Sequence, residues 1–132
     1  MGANIGAGLI IFILDDEEDI CLFSKRFFEK RGFKVQTSMT IKDALSRINK
    51  NKFDVALLDQ HLEGGSGMDV LKAIREKQPE CQCIMLTVED DKTIVVNAKK
   101  MGAVDYLFKP LKIEDIDKAI SRVVKKIKKE TK

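Results

Sequence analysis

The sequence is poor in several of the residues that build metal sites and covalent cross-links. It contains one histidine, three cysteines, one tyrosine and no tryptophan among 132 residues. The cysteines, Cys21, Cys81 and Cys83, are odd in number and have no disulfide-framework spacing, and Cys81-Gln82-Cys83 is not a CxxC motif. These spacings argue against a disulfide-rich or cysteine-histidine metal protein, and they predict reduced thiols in a cytoplasmic protein.

Long apolar segments are also missing from the sequence. The longest apolar run, Leu9–Leu14, is far shorter than the ~20 residues that a membrane span requires. No basic segment precedes this run, so a signal peptide is not indicated. We therefore predict no membrane association, and we interpret the small, glycine-containing residues 1–8 as a flexible leader.

Positive charge is concentrated at one end of the chain. The whole sequence carries +3, whereas residues 121–132 contain six basic residues and one acidic residue and carry +5, which leaves −2 for the remainder. A nucleic-acid-binding domain would normally spread basic residues over one face, so no direct nucleic-acid partner is predicted. The length fits one domain, which we place at residues 9–128, followed by a basic tail at residues 129–132.

Short apolar runs alternate with amphipathic segments along the chain. The short runs indicate buried strands, and apolar residues at helical spacing indicate helices. Strict alternation implies an α/β fold with a doubly wound, five-stranded parallel sheet and helices on both faces. The predicted strands are Leu9–Leu14, Phe33–Thr37, Phe53–Leu58, Cys83–Leu86 and Val104–Phe108; the predicted helices span about 17–30, 41–48, 68–77, 91–101 and 112–128, the second capped by Thr40.

Polar side chains follow four of the predicted strands at the point where each strand ends. Asp15 and Asp16 follow the first strand and Asp59 the third, while Thr87 and Lys109 follow the fourth and fifth. Because open α/β sheets bind ligands at the carboxyl ends of their strands, we expect these side chains to meet. Three carboxylates repel one another without a cation, and oxygen ligands favour Mg²⁺. Together with a hydroxyl and an ammonium group, they predict a phosphoryl-transfer site.

The order and spacing of these residues are similar to those of the receiver domain of two-component response regulators. The stretch from Gly102 to Pro110, Gly-Ala-Val-Asp-Tyr-Leu-Phe-Lys-Pro, is an especially specific match. The resemblance extends from about Leu9 to Lys128, nearly the whole chain. It implies a flavodoxin-like fold with strand order 2-1-3-4-5, and a signalling role in place of an enzymatic one.

The resemblance also implies a role for each site residue. Asp59 would accept a phosphoryl group from a phosphohistidine of a sensor histidine kinase or phosphotransfer protein. Lys109 and Thr87 would contact phosphoryl oxygens, and Tyr106 would turn inward as Thr87 moves. The Lys109–Pro110 peptide bond would be cis. The implied Mg²⁺ ligands are Asp15, Asp16, Asp59 and the backbone carbonyl of His61.

The resemblance implies partners as well. Phosphorylation would change the surface around the fourth helix, the fifth strand and the fifth helix. A downstream effector protein or domain is expected to bind this face, and a weak homodimer on phosphorylation is a further expectation.

Two positions depart from the usual pattern of the family. After Thr87 the family usually has a small residue, whereas this chain has Val88, whose stiff branched side chain is expected to narrow access to the phosphoryl group. Four residues after Asp59 the family often has proline, whereas this chain has Glu63. Both departures are expected to change rates and to leave the reaction intact.

Three alternatives come from other classes of protein. A small aspartate-nucleophile phosphatase needs Asp-x-Asp after the first strand, which Asp15-Asp16-Glu17 does not supply. A flavodoxin-like nucleotide binder needs a loop rich in Gly, Ser and Thr there, and the acidic segment would repel phosphate. The third alternative is a receiver-like interaction module that works without phosphorylation, and Val88 is the residue that favours it.

Overall fold

A computed structural model describes the backbone of residues 4–88 and 92–130 and the side chains of all these residues except residue 130. The predicted leader residues 1–3, the predicted tail residues 131–132 and Asp91, the predicted first residue of the fourth helix, lie outside the described residues. Within the two described ranges, no helix combines the length and the apolar character that crossing a membrane requires.

Within these ranges the chain forms seven strands and five helices. The strands are β1 (Ile10–Leu14), β2 (Lys34–Ser38), β3 (Val55–Asp59), β4 (His61–Leu62), β5 (Gly65–Ser66), β6 (Gln82–Thr87) and β7 (Asp105–Phe108). The helices are α1 (Glu18–Glu29), α2 (Ile41–Lys50), α3 (Gly67–Lys77), α4 (Lys92–Lys100) and α5 (Ile113–Glu130).

Five of the strands form one parallel sheet in the order β2-β1-β3-β6-β7. Since β6 and β7 are the fourth and fifth predicted strands, the predicted order 2-1-3-4-5 is confirmed. Helices α1 and α5 pack on one face of the sheet, and α2, α3 and α4 pack on the other. The predicted doubly wound α/β architecture is therefore confirmed.

The central strands are apolar on both of their faces because helices cover both sides of the sheet. All of β3 and the last four residues of β1 are buried, which is typical of parallel sheets and explains why these runs do not alternate. On one face Phe12 stacks on Phe53 with ring centroids 4.6 Å apart. On the other face the rings of Phe27 and Phe28, both from α1, meet edge to face at 5.0 Å.

Local hydrogen bonds and glycines fix the ends of several helices. The Thr40 hydroxyl accepts the backbone N–H of Asp43 at 3.1 Å, which confirms the predicted cap of α2. The Ser66 hydroxyl caps α3 in the same way by accepting the N–H of Met68 at 3.1 Å. Gly32 follows α1 at a φ of +90°, a left-handed conformation that favours glycine and ends the helix.

Three large apolar residues that stand at helical spacing in the predicted helices are exposed. Phe23 is 42% exposed, Leu45 37% and Ile113 54%. In α1 the buried residues include Cys21 and Ser24, and Phe23 is one residue, or about 100°, away from Ser24 around the helix. Helical spacing therefore predicts a wider buried face on the helix than the face that the sheet covers.

Contacts continue beyond both ends of the predicted domain. The N–H of Gly6 donates to the carbonyl of Arg31 at 2.8 Å, and Ile5 packs against the core beneath α1 and α5. A Cβ on Gly6 would lie 2.2 Å from the ring of Phe33. At the other end α5 runs to Glu130, two residues past its predicted end and into the predicted tail. The boundaries at residues 8 and 128 themselves stay predictions.

Candidate functional site

The predicted site residues lie at the ends of four strands, at one edge of the sheet. Asp15 follows β1, Asp59 ends β3, Thr87 ends β6 and Lys109 follows β7. These strands are parallel neighbours, so their carboxyl ends share the edge at which open α/β sheets bind ligands.

Asp15, Asp16 and Asp59 form an acidic cluster at this edge. Each offers a carboxylate oxygen, and these atoms all lie within 4.8 Å of one another. Asp15 is fully buried and Asp59 is 4% exposed, whereas Asp16 is exposed. The cluster therefore opens to solvent on the side of Asp16.

One ammonium group lies against the two buried carboxylates. Lys109 Nζ is 2.7 Å from Asp15 Oδ2 and 3.2 Å from Asp59 Oδ2. An oxygen of Glu17 lies 3.9 Å from the same nitrogen. A single positive charge faces several negative ones, so the cluster keeps an excess of negative charge that a further cation would relieve.

Burial and neighbouring charges shift the pKa values of the central pair. Burial, followed by the charge of Asp15, raises the pKa of Asp59, and the contacts with Lys109 offset this only in part. Burial alone would lower the pKa of Lys109, but its hydrogen bonds and charge interactions with Asp15 and Asp59 outweigh burial and raise it. Lys109 is therefore positive at neutral pH, and Asp59 is more basic than an ordinary aspartate.

Cys21 supports the backbone of the acidic cluster. Its thiol donates to the carbonyl oxygen of Asp15, with 3.3 Å between Sγ and that oxygen. Burial, followed by the charge of Asp15, raises the pKa of the thiol to about 11. The thiol is therefore protonated at neutral pH and serves as a donor. Cys81 and Cys83 are likewise free and buried.

The donor set of the cluster fits a hard divalent cation. All of its groups are carboxylate oxygens, the ligands that Mg²⁺ and Ca²⁺ prefer, and one side is open to solvent. The acidic triad is thus capable of binding a metal ion. The predicted fourth ligand, the carbonyl of His61, belongs to a residue whose N–H donates to Asp59 Oδ1 at 3.3 Å and whose side chain is exposed. Its role stays a prediction.

Strands β4 and β5 form an antiparallel hairpin directly after Asp59. None of the predicted strands lies in this segment. The hairpin tip brings the backbone N–H of Glu63 to 3.2 Å from Asp16 Oδ2. Proline, which the resembling family often has at this position, has no N–H to donate. The departure at Glu63 therefore gives this chain a contact with the exposed member of the acidic cluster.

Helix α3 begins at Gly67, which packs closely behind Asp59. The N–H of Gly67 donates to the carbonyl of Gln60 at 2.9 Å. A Cβ on Gly67 would lie 2.0 Å from the carbonyl oxygen of Asp59. No side chain fits in this space, so position 67 requires glycine. This role was not predicted from the sequence, in which the run Gly64-Gly65-Ser66-Gly67 is the available signal.

Thr87 and Val88 are neighbours in the chain with opposite exposure. Thr87 is fully buried, and its carbonyl accepts the N–H of Lys109 at 2.7 Å. Val88 is 67% exposed. Its predicted influence on access to the phosphoryl group stays a prediction.

Tyr106 is buried, with 8% of its surface exposed. It belongs to the core on the α2, α3 and α4 side of the sheet, and its hydroxyl donates to Gln60 Oε1. Gln60, the residue after Asp59, is also 8% exposed. Gln60 was not predicted as a site residue; the signal for it in the sequence is a polar residue placed directly after a fully buried strand.

The carboxylate of Asp59 has a raised pKa and lies between the ammonium group of Lys109 and a cluster that can bind a cation. Such a carboxylate can take up a phosphoryl group, because the positive charges stabilise the oxygens of the phosphoryl group during transfer. On a doubly wound five-stranded sheet, this chemistry defines a phosphoacceptor signalling domain. The chain belongs to the response regulator receiver domain family, whose family model matches residues 11–121. Membership confirms the resemblance, implies a sensor kinase as partner and sets aside the phosphatase and nucleotide-binding alternatives.

Individual relatives agree with the family. The photosynthetic apparatus regulatory protein RegA of Rhodobacter capsulatus is 33% identical over 118 residues, which cover 89% of this chain and 64% of the relative. The chain therefore spans less than two thirds of that protein.

Solved structures are similar as well. A CheY-like receiver domain protein from Methanospirillum hungatei has a TM-score of 0.87 and 27% identity, with 92% of this chain and 98% of that one covered. A response regulator from Burkholderia pseudomallei has a TM-score of 0.81 and 28% identity, with 93% and 72% covered. Its structure contains a phosphorylated aspartic acid, a calcium ion and citrate.

Proposed function

We propose that Asp59 accepts a phosphoryl group from a phosphohistidine of a sensor histidine kinase or a phosphotransfer protein. The position of Asp59 carries the proposal, since this carboxylate ends the central strand, belongs to the acidic cluster and lies 3.2 Å from Lys109 Nζ. The phosphorylated aspartic acid in the Burkholderia pseudomallei relative supports the same chemistry here.

In the proposed step a carboxylate oxygen of Asp59 forms a bond to phosphorus while the bond from phosphorus to the partner's imidazole nitrogen breaks. The electron pair of the broken bond returns to the imidazole, which takes up a proton and leaves. The raised pKa of Asp59 makes its carboxylate a better nucleophile. Lys109 neutralises charge on the phosphoryl group, and the Thr87 hydroxyl is the proposed second contact.

Mg²⁺ is the proposed cofactor of this step. Asp15, Asp16 and Asp59 would hold the ion, with the carbonyl of His61 as a further ligand. Mg²⁺ usually keeps several waters and binds proteins through few carboxylates, which suits this open cluster. When bound, it supplies positive charge to the oxygens of the transferring phosphoryl group.

A groove along α1 is the proposed contact surface for the kinase or phosphotransfer partner. The groove has a volume of about 590 Å³ and is lined in part by Leu22, Phe23 and Ile113. These three side chains are 47%, 42% and 54% exposed. Because α1 begins just after Asp16 and α5 just after Lys109-Pro110, the groove starts at the edge where the partner's imidazole must reach Asp59.

The proposed output surface is the face formed by α4, β7 and α5. It presents Val96, Val104 and Phe108, which are 49%, 37% and 42% exposed. A downstream effector protein or domain would bind here after phosphorylation, in the cytoplasm, and a weak homodimer of the phosphorylated chain is part of the same proposal.

Phosphorylation of purified protein by acetyl phosphate tests the proposal. With Mg²⁺ present, the parent is expected to gain the mass of one phosphate, and chelating the metal should abolish this gain. Asp59→Asn should not be labelled, whereas Asp69→Asn, which changes an exposed aspartate on α3, should be labelled like the parent. A labelled Asp59→Asn variant would refute the assignment of Asp59. An unlabelled parent would favour the phosphorylation-independent interaction module.

A further inference from the structure

Gln60 and Tyr106 form a buried polar pair beside the phosphoacceptor site. The hydroxyl of Tyr106 donates to Gln60 Oε1, although the two residues are 46 positions apart in the chain. Each of them is 8% exposed. The contact joins the residue next to Asp59 to the aromatic ring of β7.

The backbone of Gln60 is held on both sides. Its N–H donates to the carbonyl of Leu86 at 2.8 Å, and its carbonyl accepts the N–H of Gly67 at 2.9 Å. Leu86 lies on β6 and Gly67 starts α3, so two elements fix this residue. The side chain of Gln60 is thus an anchored acceptor for the tyrosine hydroxyl.

The inward position of the Tyr106 ring depends on an acceptor for its hydroxyl group. A buried hydroxyl without a partner is strongly disfavoured, whereas a hydroxyl at the surface finds water. The surface is close, since the ring of Phe108 lies 5.6 Å from that of Tyr106 and is 42% exposed. Removing Gln60 Oε1 takes away the bond that the hydroxyl hydrogen makes in the inward position, and should therefore favour movement of the Tyr106 ring towards solvent.

We propose that Gln60 is a positioning residue that holds Tyr106 inward before any phosphoryl group is attached to Asp59. The unphosphorylated chain then already has its tyrosine in the position that the family resemblance assigns to the signalling state. That meaning rests on the proposed function, whereas the position of the ring and its dependence on Gln60 do not.

The composition of the chain makes this test specific. Tyr106 is the only tyrosine and there is no tryptophan, so both intrinsic fluorescence and the ¹⁹F signal of incorporated 3-fluorotyrosine report this residue alone. Gln60→Met keeps an unbranched side chain of similar length and removes the acceptor, and Gln60→Glu restores a side-chain oxygen. Gln82→Met is the matched control, since Gln82 is another buried glutamine, 5% exposed, at the start of β6.

We expect acrylamide to quench Tyr106 severalfold more strongly in Gln60→Met than in the parent. Loss of one buried hydrogen bond is expected to shift the ratio of inward to outward rings by roughly tenfold. Gln60→Glu and Gln82→Met should stay near the parent, and the ¹⁹F chemical shift should follow the same order. Equal quenching in Gln60→Met and the parent, or no recovery in Gln60→Glu, would overturn the proposal.

The parent alone provides a second test if a variant does not fold, as judged by circular dichroism. Without metal or phosphate, quenching of Tyr106 should be far below that of N-acetyltyrosinamide, and a value near that of the free compound would overturn the proposal. Neither measurement needs phosphorylation. Failure of Asp59 labelling would therefore refute the proposed function and leave this result standing.

Discussion

At the scale of single residues, the site is dominated by an imbalance of charge. Asp15 and Asp59 are nearly buried and share the ammonium group of Lys109, while Asp16 adds a third carboxylate. Like charges in a poorly solvated region cost free energy, so the metal-free chain is destabilised at the place where its chemistry occurs.

The raised pKa of Asp59 predicts a gain in stability when this carboxylate is neutralised. A group whose pKa is raised by folding stabilises the protein below its ordinary pKa, here 3.8, and this contribution is lost as the pH rises through the folded-state value. We therefore expect metal-free Asp59→Asn to be more stable than the parent at neutral pH.

Thermal unfolding in the presence of a chelator, followed by circular dichroism across pH, measures this difference. The advantage of Asp59→Asn should shrink as the pH falls to the ordinary carboxyl pKa, while Asp69→Asn should track the parent throughout. A variant that melts below the parent at neutral pH would show that the contact of Asp59 with Lys109 outweighs burial and repulsion.

We expect Val88 to control the lifetime of the phosphorylated state. Phosphoryl transfer and hydrolysis both need an in-line approach to phosphorus. Valine is stiff at χ1 and cannot easily turn its methyl groups aside. Val88→Ala should therefore speed both acetyl phosphate labelling and loss of phosphate severalfold, as measured by mass spectrometry over time.

Equilibrium binding of beryllofluoride serves as the control for Val88→Ala, since the contacts of Lys109 are untouched and affinity should change little. Unchanged dephosphorylation in this variant would exclude Val88 as a gate. Glu63 and Glu89, the latter outside the described residues, would then be the next candidates for setting the lifetime.

At the scale of elements, the hairpin of β4 and β5 competes with a metal for one of its ligands. The N–H of Glu63 donates to an oxygen of Asp16, 3.2 Å away, and this hydrogen bond draws on the same oxygen that a cation would bind. Glu63→Pro removes the N–H together with the side chain, whereas Glu63→Ala removes the side chain alone. We expect Glu63→Pro to bind Mg²⁺ more tightly than Glu63→Ala, by about two- to fivefold, because one hydrogen bond contributes roughly 0.5–1 kcal/mol.

Isothermal titration calorimetry with Mg²⁺ would measure both affinities. The comparison between the two variants separates the N–H from the charge of Glu63. Identical affinities in the two variants would show that this hydrogen bond does not oppose the metal.

Gln78 joins α2, α3 and the start of β3 at the opposite edge of the sheet. Its Oε1 accepts the N–H of Phe53 at 2.9 Å, and its Nε2 donates to the carbonyls of Ile48 and Asn51 at 3.0 and 2.6 Å. Gln78→Ala leaves three backbone groups without this partner, so we expect a loss of about 2 kcal/mol in the free energy of unfolding.

Urea unfolding of Gln78→Ala measures this loss. Gln36→Ala is the matched control, because the side chain of Gln36 accepts a long hydrogen bond of 3.5 Å from Arg47, and the loss of this bond should cost less than about 0.5 kcal/mol. Equal destabilisation of the two variants would contradict the role of Gln78 as a link between elements.

At the scale of the whole molecule, a ligand that binds only the folded chain stabilises all of it. Mg²⁺ at 100 times its dissociation constant should raise the free energy of unfolding by about 2.7 kcal/mol. Asp16→Ala should be at least as stable as the parent without metal, since repulsion is relieved, and should gain less from Mg²⁺. Melting temperatures that rise equally in both proteins would exclude Asp16 as a ligand.

The sequence predicted those features that depend on local pattern. The apolar runs around Phe12 and Leu57 determine which segments are strands, and the strict alternation with helices determines that the sheet is parallel. Asp15, Asp59 and Lys109 were predictable as neighbours because they follow strands whose ends must share one edge. The family resemblance added the strand order.

The features that the sequence did not predict depend on contacts between distant segments. Gln60 meets Tyr106 across 46 positions and Gln78 meets Phe53 across 25, and no local pattern marks either pair. The strands of the β4 and β5 hairpin have two residues each, too few to show any periodicity. Phe23 follows the helical period but lies outside the area that the sheet covers.

Gly67 would mislead a genetic screen for the chemistry of this domain. Any side chain at this position would enter the space of the Asp59 carbonyl oxygen, 2.0 Å from where its first carbon would lie. A saturation library selected for signalling would therefore lose every substitution at position 67 and would rank this glycine beside the acceptor itself. Gly67 has no side chain that could react, so its intolerance to mutation would reflect only the lack of space beside the strand that carries Asp59.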